Sequence, residues 1–347
     1  MSGFFSYPKI SEDSQAWRLE ASDWRRLQKQ EWIATEKIHG ANFCVVCDGR
    51  SVRFAKRKGF LEEDESFFGH ERIHATISDA VLPMTWEIQE KQADATEVWV
   101  YGELYGGAYP HPDVPLEEGV QAVQTGVYYR PDIGFAVFDI AWLDRSQNLH
   151  FFHYDAMRKA ADSAQMEAAP LLFRGRMEDG LALSPQFVTR IPQMRGLPAL
   201  PWPNEAEGFV LRPADTIWIP SPKGPIRPVL KRKHRAFEED ARYHQAQRWS
   251  AHPARLSRSD AVDIAFWEKR ITELATPQRA QNAISKVGRP RTIDDPRRSQ
   301  IEALLWEDIL AVLREEEAAR WDGLSAQTQR SLLMFLQARS RTVLGNV

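Results

Sequence analysis

The chain has 347 residues, 43% hydrophobic and 27% charged, with a net charge of −3. That length exceeds the usual single domain and predicts two. The composition is that of an ordinary soluble globular protein, and no apolar run approaches the roughly 20 residues a membrane helix needs, which excludes a helical membrane protein.

The opening run, MSGFFSYPKISEDSQ, lacks the charged-then-apolar layout of a secretory signal, so a cytoplasmic protein is expected. Strand-like runs of β-branched and apolar residues then recur at EWIATEK, NFCVVCD, SVRFAKR, TEVWVYGEL, GFAVFDIAWL, EGFVLRP, TIWIP and PVLKRK, punctuated by Gly, Pro and Asp. The two cysteines, Cys44 and Cys47, both lie in NFCVVCD. Three apart on a strand, they face opposite sides, which disfavours a disulfide or a shared metal. Helical periodicity shows between Gly69 and Gln92, broken by Pro83, and again from Tyr154 to Gln165. Ala168 to Pro203 reads mainly as loop. Strands interrupted by few helices predict an α+β domain on antiparallel sheets, residues 1–240.

Beyond about Phe237 the texture turns helical. Ser259 or Asp260 can cap a helix running to Leu274. Thr276-Pro277 opens the next and Gly288 closes it. Asp295-Pro296 repeats that opening before a helix carrying Ile301, Leu304, Leu305, Ile309, Val312 and Leu313. Gly323 and Ser325 precede a last helix with Leu332, Leu333, Phe335 and Leu336. A small all-helical second domain, residues 241–347, is expected. From Asp240 onward there are 17 basic and 14 acidic residues, so the tail is mildly basic while the rest carries −6.

Five short motifs stand in fixed order at strand ends or edges: Glu36-Lys37-Ile38-His39-Gly40, Gly102-Glu103, Val137-Phe138-Asp139-Ile140, Glu207-Gly208-Phe209-Val210 and Leu230-Lys231-Arg232-Lys233. Ala41-Asn42-Phe43 and a basic strand from Arg53 to Lys58 follow the first. A lone KxxG pattern means little; the ordered set means much more. Lys231 and Lys233, two apart on a strand, should point to one side. Phe138 and Asp139, adjacent on a strand, should face opposite sides. Ser221 to Arg235 holds six Lys and Arg and no acid, a run suited to phosphate contacts. Glu103 and Glu207 are scattered carboxylates of the kind a magnesium ion takes beside substrate phosphates and water. Each adjoins a glycine, which would let the backbone approach a nucleotide.

From Trp32 to Lys233 the sequence resembles the RNA ligase 2 family, which includes the kinetoplastid RNA-editing ligases. EKIHGANF resembles motif I, and VYGE, VFDI, EGFV and LKRK resemble motifs III, IIIa, IV and V. The resemblance implies a nucleotidyltransferase domain with ATP-grasp-like antiparallel sheets; the tail beyond Lys233 matches no motif beyond being helical as that family's second domain is, and its mildly basic balance makes it the expected RNA-binding unit. It implies an ATP-dependent RNA ligase, acting in RNA repair or nick sealing, that joins 3′-OH and 5′-phosphate RNA ends through a lysyl-AMP intermediate and an RNA-adenylate. ATP is then the AMP donor, Mg2+ or Mn2+ the metal, nicked duplex RNA the partner, and the protein a monomer with no membrane partner.

Residue by residue, the resemblance makes Lys37 the nucleophile, and Lys231 and Lys233 cations acting on the triphosphate and the adenylated intermediate. It implies that His39 aids pyrophosphate departure, Arg57 aids nucleotidyl transfer and sealing, and Asn42 contacts the ribose. Phe138 would stack on adenine, with Asp139 supporting the site. Glu36 and Ile38 would offer backbone groups to the base, and Glu103 and Glu207 would serve the metal and ribose. The chemistry needs such a set: an amine attacking the α-phosphate must be neutral, and nearby cations disfavour its charged form. A DNA ligase or capping-type nucleotidyltransferase shares this chemistry, but its lysine motif usually has a K-x-D-G form and a β-barrel domain follows. A non-catalytic RNA-binding relative would have no chemical reason to keep the whole set.

Overall fold

The computed structural model describes residues 3–200, 203–221, 224–234, 237, 258–290, 295, 297–324 and 326–345. The expected boundary at 240/241 and residues Lys223, Arg235, Arg291, Pro296 and Ser325 lie outside the described residues.

Two antiparallel sheets form the first part of the chain, as the α+β reading requires. The smaller is ordered β10-β9-β1-β8, from Leu230–Lys233, Gly208–Pro213, Trp32–Glu36 and Leu171–Gly175. The larger is ordered β4-β3-β2-β5-β6-β7, from Gly59–Phe60, Val52–Lys56, Ala41–Cys47, Ala95–Ala108, Arg130–Asp144 and Leu149–Phe151. β1 ends the smaller sheet's contribution at Glu36 and β2 begins the larger sheet's at Ala41, so the Lys37–Gly40 turn lies where the chain passes from one sheet to the other.

Alternation along β2 sends Phe43, Val45 and Cys47 into a core shared with helix α2, His74–Lys91. It sends Cys44 and Val46 to the opposite face with Trp99 and Tyr101. The two cysteines are therefore buried, unbridged and on opposite faces. That second face is covered by the N-terminal segment: Phe5 packs edge-on against Trp99 at 5.4 Å, and Tyr101 Oη donates to Phe5 O at 2.9 Å. Farther along, Ser11 N donates to Val229 O and Lys231 N to Ser11 O, so this segment straps both sheets.

Several sequence expectations are corrected. α2 runs through Pro83 unbroken, because forgoing one backbone hydrogen bond is offset by the apolar face holding Ile77, Val81, Met84 and Ile88. The stretch expected to be mainly loop contains β8 and two short helices, α4 (Met177–Leu181) and α5 (Ile191–Met194). β8 is a five-residue edge strand whose exposed and half-buried side chains show no alternation to read. TIWIP supplies no strand, only an isolated bridge between Ile219 and Ile226; Pro220 and Pro225 cannot donate to a ladder. The helix at Tyr154–Ser163 (α3) forms as expected, and a further helix that the sequence reading did not include, α1, spans Ala21–Gln28.

The tail is helical: α6 Arg258–Leu274, α7 Pro277–Val287, α8 Arg297–Asp322 and α9 Ala326–Gly345. Thr276 accepts a hydrogen bond from Arg279 N and caps α7 with Pro277 at its first position, and Gly288 closes it. Asp295 Oδ1 accepts from Arg297 N at the start of α8. The four helices share a core centred on Trp267 and Trp321, whose rings meet edge-on at 5.1 Å. Among the described residues, no helix is long and apolar enough to cross a membrane.

Candidate active site

Lys37 leaves the end of β1 with its Nζ donating to Glu207 Oε2 at 2.6 Å. His39 Nδ1 lies 3.4 Å from the same oxygen, and Lys233 Nζ lies 3.2 Å from Oε1. Glu207 immediately precedes β9, and Lys233 pairs with Gly208 in register, so the β9–β10 pairing brings the fourth and fifth motifs to the first. The Glu207 carboxylate is buried, which alone would raise its pKa, but Lys37 and His39 hold it well below the usual carboxylate range.

Glu103 lies on β5 opposite Asn42 of β2. Burial pushes its carboxyl up to about 8, and the nearby Glu207 charge adds to this; Lys37, Arg57 and the Gly40 N–H oppose it. Arg57, in the β3–β4 turn, is exposed, and its charge acts on this carboxyl. Lys37, His39, Asn42, Arg57, Glu103, Glu207 and Lys233 thus gather at the sheet junction.

Three expectations change here. Lys231 does not share the Glu207 site: its Nζ pairs with Glu12 at 2.8 Å, because the N-terminal segment runs beside β10. The idea that two lysines would act on Lys37 as bare cations also fails in this state, since Glu207 stands between Lys37 and Lys233. The basic run is not wholly available to phosphates: Arg227 is buried and donates to Asp139 Oδ2 at 2.8 Å.

Phe138 and Asp139 do not face opposite sides. The β5–β6 register slips between Tyr101–Asp139 and Gly102–Val137, leaving Phe138 as the extra residue of a bulge. A bulge breaks the period-two alternation. As a result Phe138 packs edge-on against Tyr7 at 4.9 Å, and Tyr7 Oη donates to Asp139 Oδ2 at 2.8 Å. Asp139 is fully buried, with Arg212 Nη1 also 3.7 Å away. Half-buried Phe138 borders the apolar cluster of Ile38, Tyr105, Tyr129, Ala136, Ile191 and Phe237.

Glu36 also differs from expectation. Its N–H donates to Pro170 O at 2.8 Å, so that donor is not free for a base. Its buried side chain accepts from Thr189 Oγ1 and from Arg190 N, and burial pushes the carboxyl up to about 7 against those hydrogen bonds. The glycines beside the glutamates serve strand approach rather than nucleotide approach. A Cβ on Gly208, whose φ is +138°, would sit 2.0 Å from Arg232 O, and one on Gly102 would sit 2.3 Å from the Phe135 ring.

Tyr7, Glu12, Thr189, Arg212 and Arg227 were not singled out from the sequence. An arginine in the apolar strand FVLRP was a readable sign of a buried charge partner. The contacts of Tyr7 and Glu12 arise only from tertiary placement.

The chain matches the family model described as RNA ligase over residues 30–257 and that described as T4 RNA ligase 2 C-terminal over residues 265–339. It is 29% identical over 345 residues to RNA-editing ligase 2, mitochondrial, of Trypanosoma brucei brucei (strain 927/4 GUTat10.1), covering 88% of this chain and 82% of that one. It is 29% identical over 238 residues to RNA-editing ligase 1, mitochondrial, of Trypanosoma brucei brucei, covering 61% of this chain and 50% of that relative. Among solved structures, Naegleria gruberi RNA ligase with PPi aligns with a TM-score of 0.42 and 14% identity over 68% of this chain; the match spans 59% of that chain. The first family model alone spans more than half of the sequence, Lys37, Glu103, Glu207 and Lys233 included, and the chain therefore belongs to the RNA ligase family.

Proposed function

We propose that the chain is an ATP-dependent RNA ligase that seals 3′-OH and 5′-phosphate RNA ends, with Lys37 as its nucleophile. The observation that carries this reading is the Lys37–Glu207–Lys233 arrangement: one partly exposed amine on a buried carboxylate, with a second amine on that carboxylate's other oxygen. Once it has given up a proton, the Lys37 amine attacks the α-phosphate of ATP. A P–N bond forms as the bond to pyrophosphate breaks, leaving AMP on the lysine. An oxygen of the RNA 5′-phosphate then displaces the lysine, and the RNA 3′-hydroxyl displaces AMP. Lys233 and His39 lie beside the attacking amine and are suited to the departing pyrophosphate; Arg57 is suited to the transferred phosphate. Lys231 becomes available to phosphates when its exposed pair with Glu12 opens. Phe138 offers a ring face to adenine, Ile38 its backbone, and Asn42 a polar group to ribose.

Of the two candidate metal ligands, Glu103 fits a divalent ion better than Glu207. Both offer the hard oxygen donors that Mg2+ or Mn2+ prefers. Glu207 already binds two ammonium groups, whereas Glu103 is a half-buried carboxyl raised by desolvation and a neighbouring anion, as a cation-ready site would be. A bound ion there would offset charge on the phosphates.

The test is incubation of the pure protein with α-labelled ATP and a divalent ion, followed by denaturation. Label that survives denaturation is expected for the wild type and is expected to vanish in Lys37→Ala at unchanged thermal stability. A Lys37→Ala protein that still becomes labelled would remove the assignment.

A further inference from the structure

The turn that carries Lys37 is held by its backbone from several directions. Lys37 N donates to Gly208 O at 2.8 Å, which ties the start of the turn to β9. Gly40, at its end, lies so close to β5 that an added Cβ would sit 2.0 Å from Leu104 O. The remaining holds come from the connection between β5 and β6, residues 109–129. His39 N donates to Tyr129 Oη at 2.8 Å, and Gln124 Nε2 donates to Gly40 O at 3.3 Å. Tyr129 is 90 residues from His39 in sequence and only 1% exposed. Its ring is braced in turn: it lies in one apolar cluster with Ile38 and meets Tyr105 edge-on at 5.4 Å. Tyr105 Oη donates to Glu167, a carboxylate that Arg130 and Arg195 also hold.

A lysine carries its amine on a flexible four-carbon stem, so aiming that amine takes a fixed point at each end. Glu207 fixes the Nζ end at 2.6 Å, and the turn fixes the backbone end. Attack uses the nitrogen lone pair, so the amine must give up its proton and part from Glu207. From then on the backbone end alone aims it. A buried N–H left without an acceptor is costly, so the Tyr129 hydroxyl determines where the His39 amide can sit, two residues beyond Lys37. We infer that Tyr129 is a positioning residue for Lys37: its hydroxyl holds the turn so that the amine stays aimed at the α-phosphate once it has left Glu207. The inference rests on the reading of Lys37 as the nucleophile. It gives a role to a tyrosine that belongs to none of the five motifs.

The experiment compares the full-length wild type with Tyr129→Phe and Tyr109→Phe. It reads single-turnover labelling by α-labelled ATP with Mg2+, and hydrogen exchange across residues 36–41. Tyr109 is the control: it lies on the same connection, is equally buried, and its Oη donates to Pro198 O at 2.6 Å instead of to the turn. Each variant deletes one buried hydroxyl and keeps the ring, so both should lower the melting temperature by a similar few degrees. Only Tyr129→Phe is expected to lose exchange protection at the His39 amide. Only Tyr129→Phe should lower the maximal labelling rate, by about tenfold, with half-saturating ATP within about twofold of wild type. A Tyr129→Phe protein whose maximal rate equals that of Tyr109→Phe overturns the inference, whatever its stability. A loss confined to half-saturating ATP does the same, since it would place Tyr129 in nucleotide binding. A wild type that does not label, while Tyr129→Phe still opens the His39 amide to exchange, overturns the Lys37 reading and leaves Tyr129 as the residue that holds the turn.

Discussion

Glu36 sits one residue before Lys37, the proposed nucleophile, and is almost wholly inaccessible to water, yet among the described residues it has no cationic partner in contact. Its hydrogen bonds come from a hydroxyl and a backbone amide. Burial therefore dominates and raises the carboxyl from its ordinary 4.5 to about 7. The folded chain holds this proton more tightly than the unfolded chain does. The group costs nothing below about pH 4, and stability is lost as pH rises from there to about 7. The loss is on the order of 3 kcal/mol when complete. Glu36→Gln removes the titration. Its melting temperature relative to wild type should rise steadily between pH 5 and pH 7.5 and level off above, whatever pH-independent offset the lost acceptor adds. A gap that stays flat across that range would show that Glu36 titrates normally. The chemical identity of the Lys37, Glu103, Glu207 and Lys233 set was legible in the sequence, because those motifs are contiguous. The Glu36 environment was not, because Thr189 and Arg190 lie more than 150 residues away.

Where two strands bring distant motifs together, the element rather than the side chain sets the geometry. Gly208 is the pivot of β9 and β10: its φ of +138° is strained for any residue with a side chain, and an added Cβ would overlap Arg232 O at 2.0 Å. Glu207 precedes it and Lys233 pairs across from it, so any shift here moves both ends of the bridge to Lys37. Gly208→Ala is expected to destabilise the protein by about 3 kcal/mol from overlap plus backbone strain. It should also slow ATP-dependent self-labelling by at least about tenfold in the fraction that remains folded, because the carboxylate no longer bridges the two amines. Parallel melting curves and single-turnover labelling separate the two effects. Unchanged labelling would mean that the bridge is dispensable. Continuous apolar and β-branched runs, such as β2, were readable from composition alone. β8 and the Phe138 bulge were not, since an edge strand need not alternate and a bulge breaks the period that the reading depends on.

On the scale of the whole molecule, the division of labour follows from where the cores lie. Among the described residues, the buried cluster built by α6 to α9 draws only on residues from 267 to 343, while the clusters around the two sheets end at Phe237. Each part therefore buries its own apolar surface, and we propose that residues 1–240 form a unit able to fold without the tail. Phe237 fixes where a cut must fall. It is buried, and its ring meets His39 edge-on at 5.3 Å, so a fragment ending at His234 strips the cover from a residue that touches Glu207. A fragment ending at Glu239 keeps that cover. The longer fragment should label with AMP at close to the full-length rate, and the shorter one several-fold more slowly at lower stability. Both should lose most sealing of a 3′-OH/5′-phosphate nick in duplex RNA. Such a duplex is held through shape, phosphates and 2′-hydroxyls, which call for the broad basic surface of the tail. Full-length sealing should accordingly fall steeply with salt, whereas AMP labelling, which needs no RNA, should not. If the 1–239 fragment seals nicks as fast as the full chain at matched folding, the tail holds no RNA and its role is structural.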